Sequence, residues 1–298
     1  IAGDIQLAST GDVQTLGAQL SERGMRLDAQ ATLANQVLDI KRARLSAGSG
    51  HVDIKGSASL EDKREFKIGA TAVHFNPAAL GDFPEADINA LVNASGALAP
   101  EWKVTSDFTL RPSRLFGHPL SGKGKFSADA KHVTGVDARL AMGPNAVDLR
   151  GSFGAPGERL LWKLDARQLS ALRSDLNGAL AANGVVSGTM EAPRTTFVAD
   201  ARGLGFAQKG RKANNSVLHA SGEASLAAGD VNIKTTGTAR GFDPAAFGSP
   251  LAGSINGKFD ASGRLARDWS GTAGIVLEPS TLSNAPLWGH ARLGGSAQ

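Results

Sequence analysis

Residues 75–122 return, without a gap, as residues 242–289. About twenty of these forty-eight positions are identical at one constant offset, among them Pro77/Pro244, Asn89/Asn256, Ser95-Gly96/Ser262-Gly263, Trp102/Trp269 and Pro112/Pro279. A more decayed copy lies between them, with Asn177-Gly178 and Gly184 in the places of Asn89 and Gly96. Residues 147–152 (VDLRGS) likewise repeat 52–57 (VDIKGS), followed by Trp162-Lys163-Leu164 for Phe66-Lys67-Ile68. The unit is therefore roughly 70–95 residues long. Stacked copies usually act through one extended surface and not one catalytic pocket. We expect residues 1–298 to form one continuous array, with approximate units at 1–49, 50–145, 146–216 and 217–298, cut from a longer protein at both ends.

Within each unit the hydropathy alternates with period two. Residues 120–130 place Leu120, Gly122, Gly124, Phe126 and Ala128 on one face and Ser121, Lys123, Lys125, Ser127 and Asp129 on the other. Residues 255–265 do the same, and 25–33, 52–60, 88–98, 136–142, 160–166 and 218–226 follow. Such alternation predicts antiparallel strands with one dry and one wet face. Gly143-Pro144, Ala155-Pro156-Gly157 and Ala228-Gly229-Asp230 supply turns. Helical signal is confined to Asn76-Pro77 and Asp243-Pro244, each followed by two alanines, which read as capped single turns, and to residues 167–176, which read as a slightly longer one. Glycines recur on the dry face inside strands, at Gly96, Gly122, Gly124, Gly151, Gly222, Gly257 and Gly263. Strand glycines mark bends or close approaches, and in every unit they would let a sheet curl about its apolar side.

Signals for chemistry are poor. With 32 basic and 28 acidic residues interspersed, 5% aromatics and no tyrosine, the chain lacks the basic stripe and stacking platform of a nucleic-acid binder. There is no cysteine, hence no disulfide and no thiolate metal site. His51, His74, His118, His132, His219 and His290 show no ligand spacing and read as solvated strand residues. No G-x-S-x-G elbow occurs, and Gly122-Lys123-Gly124-Lys125 lacks the spacing of a phosphate loop. Asn214-Asn215-Ser216 fits a glycosylation sequon but reads as a loop, and Lys209-Gly210-Arg211-Lys212 as a solvated basic turn. We expect no catalysis, no cofactor and no metal. No apolar run is long enough to span a membrane.

What remains is the apolar face itself. It collects Val52, Ile54, Phe66, Ile68, Ile88, Val92, Leu98, Trp102, Val104, Phe108, Leu110, Phe126, Leu140, Val147, Leu149, Phe153, Trp162, Leu164, Phe259, Leu265, Ile275 and Leu277. The ordinary explanation is the core of a two-sheet sandwich. Against it, many dry positions hold only Ala or Gly, and no amphipathic helix of useful length could cover the sheet. The expected fold is all-β: an elongated, curled, mainly antiparallel repeat sheet forming an open apolar groove, with a short helical turn in each repeat. Chaperoning of unfolded strands by β-augmentation and a parallel β-helix adhesin are the rival architectures.

The run of amphipathic strands and the recurring elements DINALVNASGAL, LNGALAANGVVSGTMEAP and SINGKFDASGRL resemble the periplasmic β-rich portion of TamB proteins, within the wider AsmA-like family. The spacing Asn177-Gly178…Gly184…Gly188…Pro193 carries the resemblance most directly. It implies a taco-like sheet with a greasy interior, in the periplasm, in a parent anchored in the inner membrane of a Gram-negative bacterium. It implies phospholipid or another acyl-chain lipid as ligand, and a TamA-like outer-membrane barrel as partner, met through a segment outside these residues. Family members are implicated both in moving phospholipid between membranes and in assembling outer-membrane proteins.

Overall fold

The computed structural model describes residues 1–207, 214–227, 229–266 and 268–297. The described residues form nineteen strands and three short 3-10 turns, with no α-helix. They divide into two units, Ile1–Gly143 and Pro144–Gln298.

The first unit contains β1 (Ala2–Thr10), β2 (Val13–Glu22), β3 (Met25–Ala34), β4 (Val37–Ala47) and β5 (Gly50–Ser59). It continues through β6 (Glu65–Phe75), the turn η1 (Pro77–Leu80), β7 (Ala86–Ala97), β8 (Lys103–Leu115), β9 (His118–Asp129) and β10 (Val133–Met142). The second contains β11 (Asn145–Phe153), β12 (Leu160–Ala166), η2 (Leu169–Ala171), β13 (Leu176–Gly188) and β14 (Pro193–Phe206). After these come β15 (Val217–Ala227), β16 (Asp230–Phe242), η3 (Pro244–Phe247), β17 (Gly253–Leu265), β18 (Ser270–Leu282) and β19 (Ala285–Ser296). Within each unit every strand pairs antiparallel with the next, so each is an open meander not closed into a barrel. The antiparallel pairing rules out a parallel β-helix. No helix of the described residues is long and apolar enough to cross a membrane.

The expected strands all occur, most of them longer by a residue or two than the alternation alone marks. The Asx-Pro caps also form: Asn76 Oδ1 accepts from Ala78 N at 3.2 Å and Asp243 Oδ1 from Ala245 N at 3.1 Å. In the middle copy the expected longer turn shrinks to the three residues of η2. There Gln168 makes no side-chain cap, and Asn145 holds the turn instead. Its amide accepts from Gln168 N and donates to Gln168 O, both at 2.9 Å.

Among the described residues each meander is a single sheet with no α-helix beside it. Inside each unit strands pack principally on their sequence neighbours, with η2 against β13 and η3 against β14 as the additions. The buried apolar residues are mainly alanines, with Phe75, Val136, Met142 and Phe153 as the larger members. Two separate compact domains of half this mass would expose about 14,000 Å² together. The chain exposes 18608 Å². An exposed area this large, with dry-face residues such as Val92, Phe108, Phe259 and Ile275 half-buried, does not fit a packed sandwich core.

Candidate functional site

Cross-strand partners share a face, so the pairing register traces the dry side directly. In the first unit one row runs Ile5–Ala18–Ala29–Ala43–Ile54–Ala70–Val92–Phe108–Gly124–Ala138, one residue per strand with no polar member. In the second, Val147–Leu164–Ala182–Ala199–Ala220–Gly237–Phe259–Ile275–Ala291 is equally unbroken. Flanking rows hold Val52 with Leu110 and Leu140, and Leu149 with Trp162. Phe66, Ile68, Ile88, Val104, Phe126 and Leu277 occupy the same faces. Two residues assigned from sequence to the strands fall outside them: Leu98 and Trp102 lie in the turn between β7 and β8. Phe153 and Leu265 end their strands, the first buried and the second exposed. Val92, Phe108, Phe259 and Ile275 are half-buried, too open for a packed core and too apolar for an ordinary wet surface.

Four of the dry-face glycines have an aromatic ring as neighbour. A Cβ on Gly124 would lie 2.7 Å from the Phe108 ring, one on Gly184 2.7 Å from Trp162, and one on Gly237 2.5 Å from Phe259. At Gly222 a Cβ would meet the Phe197 ring at 3.0 Å and, closer still, the Lys234 carbonyl oxygen. Each large ring therefore lies across the neighbouring strand in the space a missing side chain leaves, as aromatic residues cover glycines elsewhere in sheets. The glycines mark close approach. Sequence left bends and close approach both open; at these four positions the packing shows an aromatic ring in the space.

Many of the repeated polar residues serve the backbone. In the first copy the pairing slips at Ala72/Phe75, Asp87/Ala90 and Leu110/Ser113, and in the second at Ala239/Phe242, Ser254/Gly257 and Leu277/Ser280. These are the same positions at the repeat offset. Asn89 Oδ1 accepts from His74 N at 2.9 Å, and its amide donates to Pro112 O at 3.0 Å. Asn256 makes the same bonds to Gly241 N and Pro279 O, both at 2.8 Å. Ser113 Oγ and Ser280 Oγ accept from Asn89 N and Asn256 N, each at 2.8 Å. Three adjacent bulges, each adding local twist and bend, are thus pinned by one Asn–Ser pair per copy. The identity of Asn89 and Asn256 was visible in sequence, but nothing there distinguished a bulge pin from a ligand-binding amide.

The described residues of the wet face show isolated His–Asp pairs. His74 and His219 pair with Asp87 and Asp200 at 2.9 and 2.8 Å, and His51 and His132 lie beside Asp53 and Asp129. The described residues hold no group of three or more acidic or histidine side chains that could bind a metal. Arg44 donates to both Asp53 oxygens at 2.6 and 2.5 Å, holding that carboxyl below its ordinary range. Shallow hollows occur on this face, one of 770 Å³ over Lys55, Ser57, Lys67, Asn93, Ser95 and Thr105, another of 740 Å³ over Asn232, Lys234, Ser262, Arg264 and Thr272. A twisted sheet is saddle-shaped, so such recesses need no ligand to explain them. Lys123 and Lys125 lie exposed within β9 and form no phosphate loop. Asn214 of the sequon is engaged, accepting from Ser216 Oγ at 2.6 Å and donating to Leu204 O at 2.7 Å. The basic run Lys209-Gly210-Arg211-Lys212 and Ala228 of the expected turn lie outside the described residues.

Over residues 6–238, more than half of its length, the chain matches the family described as "TamB, N-terminal domain". The first copy of the long repeat falls inside that match and the second lies beyond it. No curated protein and no solved structure matches the chain.

Proposed function

Because this chain belongs to the TamB family, we propose that the apolar face of each unit is a groove for phospholipid acyl chains, which it conducts between the inner and outer membranes of a Gram-negative envelope. The observation that carries the proposal is the pair of unbroken apolar rows, half-buried at Val92, Phe108, Phe259 and Ile275, on sheets with no α-helix beside them among the described residues. Soluble monomers seldom expose contiguous apolar patches beyond ~300–600 Å², so a face crossing nine or ten strands calls for an occupant. An acyl chain meets that demand. At ~0.8 kcal/mol per buried CH₂, one sixteen-carbon chain gains on the order of 12 kcal/mol on leaving water. The headgroup stays at the wet margin.

This role places the strands in the periplasm and makes a TamA-like outer-membrane barrel the partner of a different part of the protein. It involves no bond making or breaking. A chaperone role in outer-membrane protein assembly would use the same strands as β-augmentation templates. Mass spectrometry of gently purified protein separates the two. Copurifying phospholipid is the expected result. Protein free of lipid that binds barrel-strand peptides tightly would overturn the groove in favour of the chaperone. Hydrolysis of lipid or ester substrates above background, abolished by one substitution, would show that chemistry had been missed.

A further inference from the structure

The two long margins of each meander are built differently. One margin carries the 3-10 turns and the pinned bulges, and there the dry face ends in buried side chains. Ala47, Phe75, Ala90 and Met142 are buried along it in the first unit, and Ala166, Ala201 and Ala239 in the second. In the second unit the turns themselves are buried at Ala171, Ala245 and Ala246, and Phe247 stacks on Phe242 and meets Phe206 edge-on at 5.5 and 5.9 Å. Leu80, Phe83, Phe116 and Leu251, exposed on this margin, belong to the connections, while Phe206 and Trp288 are exposed near strand ends.

The opposite margin, whose hairpin connections carry no 3-10 turn among the described residues, leaves the same face open. Its strand ends and turns expose Leu60, Leu98 and Trp102 in the first unit, and Leu265, Trp269 and Leu293 in the second. Leu98 and Leu265 are 55% and 57% exposed at equivalent positions of the repeat, against 8% for Ala90 near the other end of the strand that leads to Leu98. Val136 and Phe153 are the buried exceptions. Tryptophan suits a boundary between apolar and wet surroundings, since its ring is apolar and its N–H is not.

We propose that lipid chains load and leave each unit sideways, across the hairpin margin, with Trp102 and Trp269 at the boundary where the headgroup remains in water. This rests on the groove proposed above. The chain has no cysteine, so Leu98→Cys and Leu265→Cys place single labels on the open margin, and Leu80→Cys and Leu251→Cys place matched labels on the shut one. Each full-length variant is coupled to a maleimide-polyethylene glycol. Uptake of a pyrene-labelled phospholipid is then followed from vesicles of phosphatidylethanolamine and phosphatidylglycerol, with circular dichroism checking the fold. Labels at Leu98→Cys and Leu265→Cys should slow uptake about ten-fold, equivalent to ~1.4 kcal/mol of added barrier. Labels at Leu80→Cys and Leu251→Cys should leave it within about two-fold, below ~0.5 kcal/mol on the same scale. Equal slowing at both margins, or none at either while uptake persists, overturns sideways loading and leaves the groove standing. An unlabelled chain that takes up no lipid overturns the groove itself and this inference with it.

Discussion

Phe108→Asp separates an open lipid face from a packed core. Phe108 is half-buried, pairs with Val92 and Gly124 across the strands, and lies over Gly124. Fully burying a phenylalanine is worth ~1.5–3 kcal/mol, so losing half of that burial costs roughly 1 kcal/mol, and the lost cross-strand ring contact adds ~0.2–1 kcal/mol. The aspartate itself stays hydrated, because the position is only half-buried. The total of about 1–2 kcal/mol should lower Tm by roughly 2–8 °C for a unit of this size, leaving the protein folded and stripped of lipid. Ala201→Asp provides the contrast. At 5% exposure it puts a charge where water does not reach, costs several kcal/mol, and should unfold the second unit. Thermal circular dichroism beside mass spectrometry of bound lipid reads both. If Phe108→Asp melts as badly as Ala201→Asp, Phe108 is packed against protein and the groove is wrong. If it folds normally and keeps its lipid, Phe108 does not touch the ligand.

Asn89→Ala strips His74 N and Pro112 O of their partners and should cost about 1–2 kcal/mol; faster hydrogen exchange at the His74 amide is the local readout, with Gly241 responding alike to Asn256→Ala. Asp53 should make the protein acid-sensitive in one direction. Its hydrogen bonds from Arg44 hold the folded carboxyl below its ordinary value, so its stabilising contribution is complete above that ordinary value and disappears as pH falls through the folded one. Asp53→Asn should flatten the acid limb of the urea midpoint between neutral pH and about pH 2, with little effect near neutrality beyond the lost pairing; since both groups are partly exposed, the change is expected to be modest.

The strands were legible because period-two alternation survives without context: β12 and the body of β9 follow from their own residues. The capped turns were legible for the same reason, since an Asx side chain and the following proline act within four residues. The shorter turn at η2 was not, because the residue that holds it, Asn145, lies on a strand twenty-three positions away in sequence. The dry-face residues could be grouped by parity, but parity cannot say whether a second layer covers them, and only the tertiary packing argues against the sandwich. Leu98 and Trp102 continue the parity of their strands and so were assigned to the lining, although pairing ends before reaching them. The bulge line was hidden altogether, since a slip of register depends on which strand lies alongside.

The two copies also contain an experiment already performed on the lining. The row Ala70–Val92–Phe108–Gly124 in the first becomes Gly237–Phe259–Ile275–Ala291 in the second. The ring has moved one strand over, and the glycine it covers has moved with it, from the far side of the pair to the near side. Ala70 and Ala291 fill the places where no ring needs room. The face therefore conserves total bulk across four strands while individual positions change, as expected if its smooth surface is under constraint and not any one side chain. Single steps along that path should be costly. Gly124→Ala alone drives a methyl into the Phe108 ring, and Val92→Phe alone adds a second ring beside the first; overpacking of this kind costs ~1–3 kcal/mol. In an Ala138→Gly background, which clears the methyl that has no counterpart beside Ala291, the fourfold change Ala70→Gly, Val92→Phe, Phe108→Ile and Gly124→Ala restores the other copy's solution, so its stability should return to within about 1 kcal/mol of that background through favourable coupling between neighbours. Urea unfolding of the singles and the fourfold variant in that background measures this. If the fourfold variant is as unstable as the sum of its parts, the rings and glycines are independent, and the row is a coincidence of composition.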